Sequence, residues 1–110
     1  MNKQGEILLI PIPFTDLKAS KKRPVLVISN NEYNQATEDI IVMAITSNVK
    51  DNKYRINIKK EDMQKGDLKI QSDIRTDKIY TLSQSIILKN FGMVKAEIIE
   101  KVQHQISKLV

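Results

Sequence analysis

The sequence contains no cysteine and no tryptophan, a single histidine and only three glycines. Without cysteine there are no disulfide bonds, thiolate metal sites or cysteine nucleophiles, and we expect a reducing compartment, the cytoplasm. One histidine excludes a nuclease that uses two histidines as acid and base. The glycines, Gly5, Gly66 and Gly92, are too widely separated to form a loop that binds nucleoside triphosphates.

Long apolar runs and clustered carboxylates are also missing. The longest apolar run, 7–14, contains two prolines and is far too short to cross a bilayer, so we expect no membrane association. Acidic pairs such as Glu38–Asp39 and Glu61–Asp62 lack the spacing of metal ligands on one face. We therefore expect no metal and no other cofactor.

The chain is of a size and composition that predict one folded domain, residues 1–110, with 41% hydrophobic and 28% charged residues. Small domains bury a modest fraction of their surface, so chemistry is expected in a surface groove or at a subunit interface. The 18 lysines and arginines exceed the 13 acidic residues, which gives a formal net charge of +5. This excess favours a polyanionic partner such as nucleic acid, but a solvated lysine-rich surface explains it equally well.

The apolar pattern predicts short strands followed by one helix. Strands are expected at 6–12, 24–29, 39–46 and 54–59, with further candidates at 68–70 and 86–91. Turns are expected at 15–22, 30–38 and 47–53. Over 94–109 apolar residues recur at helical spacing, with His104 on the opposite, polar face. The predicted fold is mainly β with a C-terminal helix, a small and strongly curved sheet or barrel.

A basic cluster of Lys21, Lys22 and Arg23 directly precedes Pro24 and an apolar strand. Pro24 restricts Arg23 to an extended conformation. An arginine held in this way can offer its planar fork to a phosphate, whereas a lysine offers only a point charge. The alternative is that the cluster merely protects an edge strand from aggregation.

Two further polar segments are candidates for holding a phosphate or a ribose hydroxyl. Thr46, Ser47 and Asn48 end the third predicted strand and either build only a turn or also line a groove. The segment 71–78, which includes Ser72 and Arg75, is rich in hydrogen-bond donors and acceptors. Its alternative interpretation is an exposed charged loop with internal Asp–Arg pairing, which contributes little to stability.

Taken in order, these segments resemble the MazF/PemK/Kid family of toxins. The similarity lies in Gly5-Glu6-Ile7, in KRPVLVISN from Lys22, in AITS from Ala44, in Ser72-x-x-Arg75-x-Asp77-Lys78 and in Gly92 before a terminal helix. The resemblance implies an SH3-like barrel of the MazF/Kid/CcdB type, a homodimer, and metal-independent, sequence-selective cleavage of single-stranded RNA that blocks translation. It also implies an acidic antitoxin that covers the RNA groove, and operator DNA as a target of the toxin–antitoxin complex.

By the same resemblance, Arg23 and Thr46 correspond to the catalytic pair of the MazF branch. The ribose 2′-hydroxyl would then attack the phosphate, leaving a cyclic phosphate and a 5′-hydroxyl, with donors aimed at the developing charge. The residues expected to bind RNA are Asp16, Lys21, Lys22, Ser47, Asn48, Ser72 and Arg75.

The sequence also departs from the family pattern. Lys18-Ala19-Ser20 replaces the Ser-Glu-Gln stretch of many MazF-like toxins, which leaves Asp16 as the nearest acidic residue. Ile70 and Ser72 stand where Kid-like members place an arginine and an aspartate, so the Kid-type acid–base assignment does not carry over and the general base is not assigned.

Two other functions are compatible with this fold. The first is a non-catalytic toxin of the gyrase-inhibiting CcdB type, which the lack of tryptophan and the ordinary C-terminal helix disfavour. The second is a nucleic-acid-binding barrel without catalysis, for which five aromatic residues are few.

Overall fold

The computed structural model describes residues 2–12 and 21–110, so that Asp16 and most of the predicted turn at 15–22 lie outside the described residues. In order along the chain, the strands and helices of this part are β1 Glu6–Ile12, β2 Lys21–Val27, α1 Asn31–Ala36, β3 Asp39–Thr46, β4 Arg55–Ile58, β5 Met63–Gly66, β6 Ser72–Ser83, β7 Lys89–Val94 and α2 Ala96–Leu109. Short 3-10 turns at Lys60–Asp62 and Gln84–Ile86 precede β5 and β7. The predicted class, mainly β with a C-terminal helix, is confirmed.

Within the described residues, the strands form one seven-stranded antiparallel sheet in the order β4-β6-β3-β2-β1-β7-β5, curled into a half-barrel. A bulge in β6 contributes to the curvature. Met43 of β3 pairs with Ile79, whereas the next residue, Ala44, pairs with Arg75, so residues 76–78 of β6 are extra. Thr76 anchors the bulge, because its backbone N–H and its hydroxyl both donate to the Tyr54 carbonyl, at 3.1 and 2.7 Å.

Apolar residues alternate between two hydrophobic clusters, as the period of a strand requires. Ile7 belongs to the cluster that includes Ile98 and Val102 of α2, whereas its neighbour Leu8 belongs to a second cluster with Ile10 and residues of β2 and β3. The apolar stripe of α2 therefore covers one of these clusters and anchors the helix. His104 is exposed on α2, as its polar helix face predicted.

Four predictions about local structure differ from the structure in whole or in part. Residues 68–70 do not form a strand, and the strand predicted at 86–91 begins only at Lys89, after a 3-10 turn that ends at Ile86. The predicted turn at 30–38 contains α1, which begins after Asn30, whose side chain accepts the Tyr33 N–H at 2.8 Å. Finally, the alternative interpretation of 71–78 as an exposed loop is wrong, because most of this segment lies in β6, the longest strand.

Candidate active-site groove

An open groove of about 850 Å³ lies where β2 begins and β3 ends, with β6, β7 and the 67–70 loop contributing to its walls. Its lining brings together Arg23 and Thr46, the two predicted catalytic residues, with four of the predicted RNA-binding residues. These four are Ser47, Asn48, Ser72 and Arg75. Lys21 and Lys22 are exposed on β2 but do not line this groove, and Asp16 lies outside the described residues.

Arg23 and Thr46 meet because of the antiparallel register. Val25 of β2 pairs with Ala44 of β3. Because the strands run antiparallel, Arg23, two residues before Val25, lies at the same level of the sheet as Thr46, two residues after Ala44. Arg23 is exposed there, on a strand that begins earlier than predicted, at Lys21. Its guanidinium is therefore carried by a paired strand, since Arg23 itself lies opposite Ile10 of β1.

Thr46, Ser47 and Asn48 build a turn and also line the groove. Both interpretations of this segment, a turn and a groove lining, therefore apply. The Asn48 N–H donates to Thr46 Oγ1 at 3.1 Å, and the Val49 N–H donates to the Ser47 carbonyl at 3.0 Å. A threonine hydroxyl has one hydrogen and two lone pairs. Because Asn48 uses a lone pair, the Thr46 O–H remains available to donate to a ligand.

Arg75 offers a second donor. Its Nη2 lies 3.6 Å from Asp77 Oδ2, which is the internal Asp–Arg pairing considered for this segment, although in a strand rather than a loop. Among the described residues, the buried Nε–H of Arg75 has no acceptor. A ligand in the groove would therefore meet the Nη groups of this partly exposed guanidinium, not its buried Nε–H.

The groove is basic. Three lysines that were not predicted as site residues, Lys69, Lys78 and Lys89, line it together with the two arginines. The described lining thus holds five cations and one carboxylate, that of Asp67. A concave surface with this excess of positive charge attracts a polyanion and concentrates it.

Two of the four aromatic residues that the structure describes line the groove, although composition alone had argued against base stacking. Tyr80 on β6 is 38% exposed. Phe91 on β7 is partly buried, and the Lys89 ammonium lies 5.2 Å from the centroid of its ring. An exposed ring such as that of Tyr80 can stack on a base, while the cations of the same groove bind its phosphate.

Asp73 is a buried carboxylate beneath this site that the sequence analysis missed. It lies opposite Thr46 in the β3–β6 pair and opposite Asn57 in the β4–β6 pair. Its Oδ2 accepts the Lys50 N–H at 2.9 Å and Arg55 Nη1 at 3.3 Å, and its Oδ1 accepts the Asn57 amide at 3.0 Å. Burial alone would raise the pKa of Asp73, but these hydrogen bonds and the charge of Arg55 outweigh it and lower the pKa below its ordinary value.

Within residues 2–12 and 21–110, no three histidine, aspartate or glutamate side chains come together as a metal site would require. Neither α1 nor α2, the helices of that same part of the chain, has the length and apolarity needed to span a bilayer.

A family model described as PemK-like, MazF-like toxin of type II toxin-antitoxin system matches residues 3–110. Among solved structures, a chain of the MazE–MazF complex from Deinococcus radiodurans is 19% identical, with a TM-score of 0.79 over 98% of this chain and 94% of that one. A mycobacterial endoribonuclease, solved in complex with its cognate antitoxin, is 18% identical, with a TM-score of 0.78 over 98% and 93%. The Mycobacterium tuberculosis toxin MazF-mt6 is 17% identical, with a TM-score of 0.74 over 94% and 93%. Compared with individual curated proteins, the sequence has no significant match. The structural likeness confirms the predicted curved sheet of the MazF type.

Proposed function

Because the chain belongs to the PemK-like, MazF-like toxin family of type II toxin–antitoxin systems, we propose that it is an endoribonuclease that cuts single-stranded RNA in the groove. The observation that carries the proposal is the convergence of Arg23, Thr46 and Arg75 on one open, basic surface. Cleavage of messenger RNA in the cytoplasm would block translation and stop growth.

The chemistry proposed for the groove is transfer of the phosphate to the neighbouring ribose hydroxyl. The 2′-oxygen forms a bond to phosphorus, the bond from phosphorus to the 5′-oxygen breaks, and the products are a cyclic phosphate and a 5′-hydroxyl. Arg23 neutralises the phosphate while the Thr46 O–H and the Nη groups of Arg75 donate to its non-bridging oxygens. The 2′-hydroxyl loses its proton to a base that is not assigned to a residue, and the departing 5′-oxygen gains one.

No metal ion is required in this scheme. The negative charge that develops on the phosphate is met by guanidinium groups and by a hydroxyl, which are donors already fixed on strands. The nucleophile belongs to the substrate, so no activated protein nucleophile is needed.

An acidic antitoxin is proposed as the protein partner. Its negative charge would complement the lysines and arginines of the groove, so that it would exclude RNA by occupying the same surface. The mycobacterial relative was solved with its cognate antitoxin, which supports a partner of this kind. Binding to operator DNA is proposed for the toxin–antitoxin complex.

A homodimer is proposed as the assembly. Large apolar side chains are exposed outside the groove in the described part of the chain, among them Ile79 and Leu88, which are 45% and 52% exposed. A two-fold related copy that covered some of them would remove apolar area from water.

The test is cleavage of a defined single-stranded RNA by the purified protein, with the ends of the products identified. Thr46→Val removes the hydroxyl but keeps the branched shape of the side chain, and it is expected to abolish most cleavage. Thr81→Val is the matched control, because Thr81 is exposed on β6, opposite Ile41, and outside the groove. RNA that is bound but left intact by the wild-type protein would favour a binding barrel. Arrest of gyrase without RNA cleavage would favour the non-catalytic toxin.

A further inference from the structure

We infer that Asp73 is a positioning residue that holds the Thr46–Lys50 turn so that the Thr46 hydroxyl points its hydrogen into the groove. The inference rests on the proposed function, because it assigns to the Thr46 hydroxyl the role of donor to the phosphate. Asp73 itself does not line the groove, and it is 1% exposed. It therefore acts through other groups and does not touch the RNA.

Two backbone groups connect Asp73 to the turn. Asp73 Oδ2 accepts the N–H of Lys50 directly, at 2.9 Å. The same oxygen accepts Arg55 Nη1 at 3.3 Å, and that nitrogen also donates to the Asn48 carbonyl at 2.7 Å. The Asp73 carboxylate and the Arg55 guanidinium thus fix the Lys50 N–H and the Asn48 carbonyl in a turn that is otherwise exposed.

Asn48, held at its carbonyl, determines which atoms of Thr46 are left for the ligand. The Asn48 N–H occupies a lone pair of Thr46 Oγ1 at 3.1 Å. Thr46 also lies directly opposite Asp73 in the β3–β6 pair. The carboxylate that holds the turn therefore lies at the level of the sheet where the turn begins. Movement of Asn48 would release the hydroxyl to rotate, and the donor would no longer be preorganised.

The carboxylate is suited to this role in a way that an amide is not. Asp73 receives three donors on two oxygens: Lys50 N–H and Arg55 on Oδ2, and Asn57 on Oδ1. An asparagine at this place has one acceptor oxygen, so its NH₂ group would face at least one of these donors. It would also leave Arg55, whose side chain is 10% exposed, without its counter-charge.

The experiment compares steady-state cleavage by wild type, Asp73→Asn and the control Asp62→Asn. Asp62 also accepts a backbone N–H, that of Lys59 at 2.9 Å, but it lies outside the groove. We expect kcat to fall about 10- to 100-fold in Asp73→Asn while KM changes by less than about threefold, since misplacement of a donor affects the transition state more than RNA binding. Asp62→Asn should cleave as wild type does.

A double-variant cycle with Thr46→Val separates positioning from a general loss of structure. If Asp73 acts through the Thr46 hydroxyl, Asp73→Asn costs almost nothing more once that hydroxyl is gone. Additive losses would overturn the inference, and so would a kcat of Asp73→Asn within about twofold of wild type. Should Asp73→Asn fail to fold, Arg55→Gln replaces it, because it leaves Asp73 with the Lys50 and Asn57 donors and removes the tie to Asn48 together with the Arg55–Asp73 ion pair.

Amide hydrogen exchange gives a second readout that does not depend on cleavage. Exchange at Asn48 and Lys50 should accelerate at least about tenfold in Asp73→Asn, with the amides of β1 and α2 unchanged. Unchanged exchange at both residues would overturn the inference by itself. A wild-type protein that cuts no RNA would instead refute the proposed function, and the exchange result would still decide whether Asp73 holds the turn.

Discussion

Gly66 and Gly92 face each other in the β5–β7 pair, both in the left-handed region, with φ of 76° and 130°. A Cβ on either would lie 2.8 Å from the Cα of the other and would collide with the Phe91 or Lys65 carbonyl. This close approach sets the position of β7, which carries Phe91 and Lys89 to the groove.

Gly92→Ala is therefore expected to lower the free energy of unfolding by about 2–5 kcal/mol, the sum of left-handed strain and backbone overlap. Gly5→Ala is the control: its φ is 94°, but the nearest atom to a new Cβ is a side-chain carbon of Met93 at 3.4 Å. It should lose only about 1–2 kcal/mol. Urea unfolding of both variants measures the difference, and equal losses would contradict the steric argument.

Arg23→Ala is expected to abolish RNA cleavage while the melting temperature stays near that of wild type, because an exposed strand arginine contributes little stability. Arg23→Lys should also be poor, since it keeps the charge but loses the planar fork. Lys101→Ala, on the exposed side of α2, is the control and should cleave normally. Cleavage near the wild-type rate by Arg23→Ala would remove Arg23 from the proposed mechanism.

The sequence predicts a strand of this site only where the pattern of apolar residues within that strand is clear. The predicted bounds of β1 and β3 match the structure, because both strands are strongly apolar and their signal is local. β6 was not predicted, because its buried residues Ser72, Asp73 and Thr76 are polar. Hydrogen bonds to partners distant in sequence make that burial tolerable, as between Asp73 and Arg55, 18 residues apart.

The groove itself depends on pairing register, which the sequence does not display. Arg23 and Thr46 were identified through family resemblance, and the structure adds that β2–β3 pairing brings them to one level of the sheet. Lys69, Lys78 and Lys89 belong to a loop and two strands, and no spacing in the sequence connects them. Their convergence follows only from the folded sheet.

Tyr80→Trp is expected to report RNA binding by fluorescence, because the chain has no tryptophan of its own. Tyr80 is exposed and lines the groove, so the larger ring should be tolerated. A 2′-O-methylated RNA, which cannot be cut by the proposed mechanism, should quench the emission as a base stacks on the indole. Tyr33→Trp on α1, away from the groove, is the control. An equal response of both variants would place the RNA elsewhere.

The stability that Asp73 contributes should depend on pH in a defined direction. Its pKa in the folded protein is lowered from 3.8, so its contribution is complete above that value and is lost as the pH falls through the folded pKa. Urea unfolding should show wild type more stable than Asp73→Asn by about 3–5 kcal/mol near neutral pH, the usual cost of breaking a buried ion pair. The difference should be constant down to about pH 5 and shrink below the unfolded pKa. A difference that grew in acid would contradict the lowered pKa.

The final prediction concerns the reaction: cleavage should survive a chelator and should require the 2′-hydroxyl at the cut site. The groove places two guanidinium groups and a hydroxyl where a phosphate would lie, and these donors supply the charge stabilisation that a metal would otherwise provide. With the ribose as nucleophile, replacing or methylating its 2′-oxygen removes the attacking group but leaves the phosphates that bind.

Native RNA with chelator, RNA methylated at the cut site, and the matching DNA are compared on one gel, with binding measured in parallel. The native RNA should be cut and end in a cyclic phosphate, while the other two should bind and stay intact. Cleavage of the methylated RNA or of DNA, or activity that returns only with added magnesium, would refute the mechanism without affecting the family assignment.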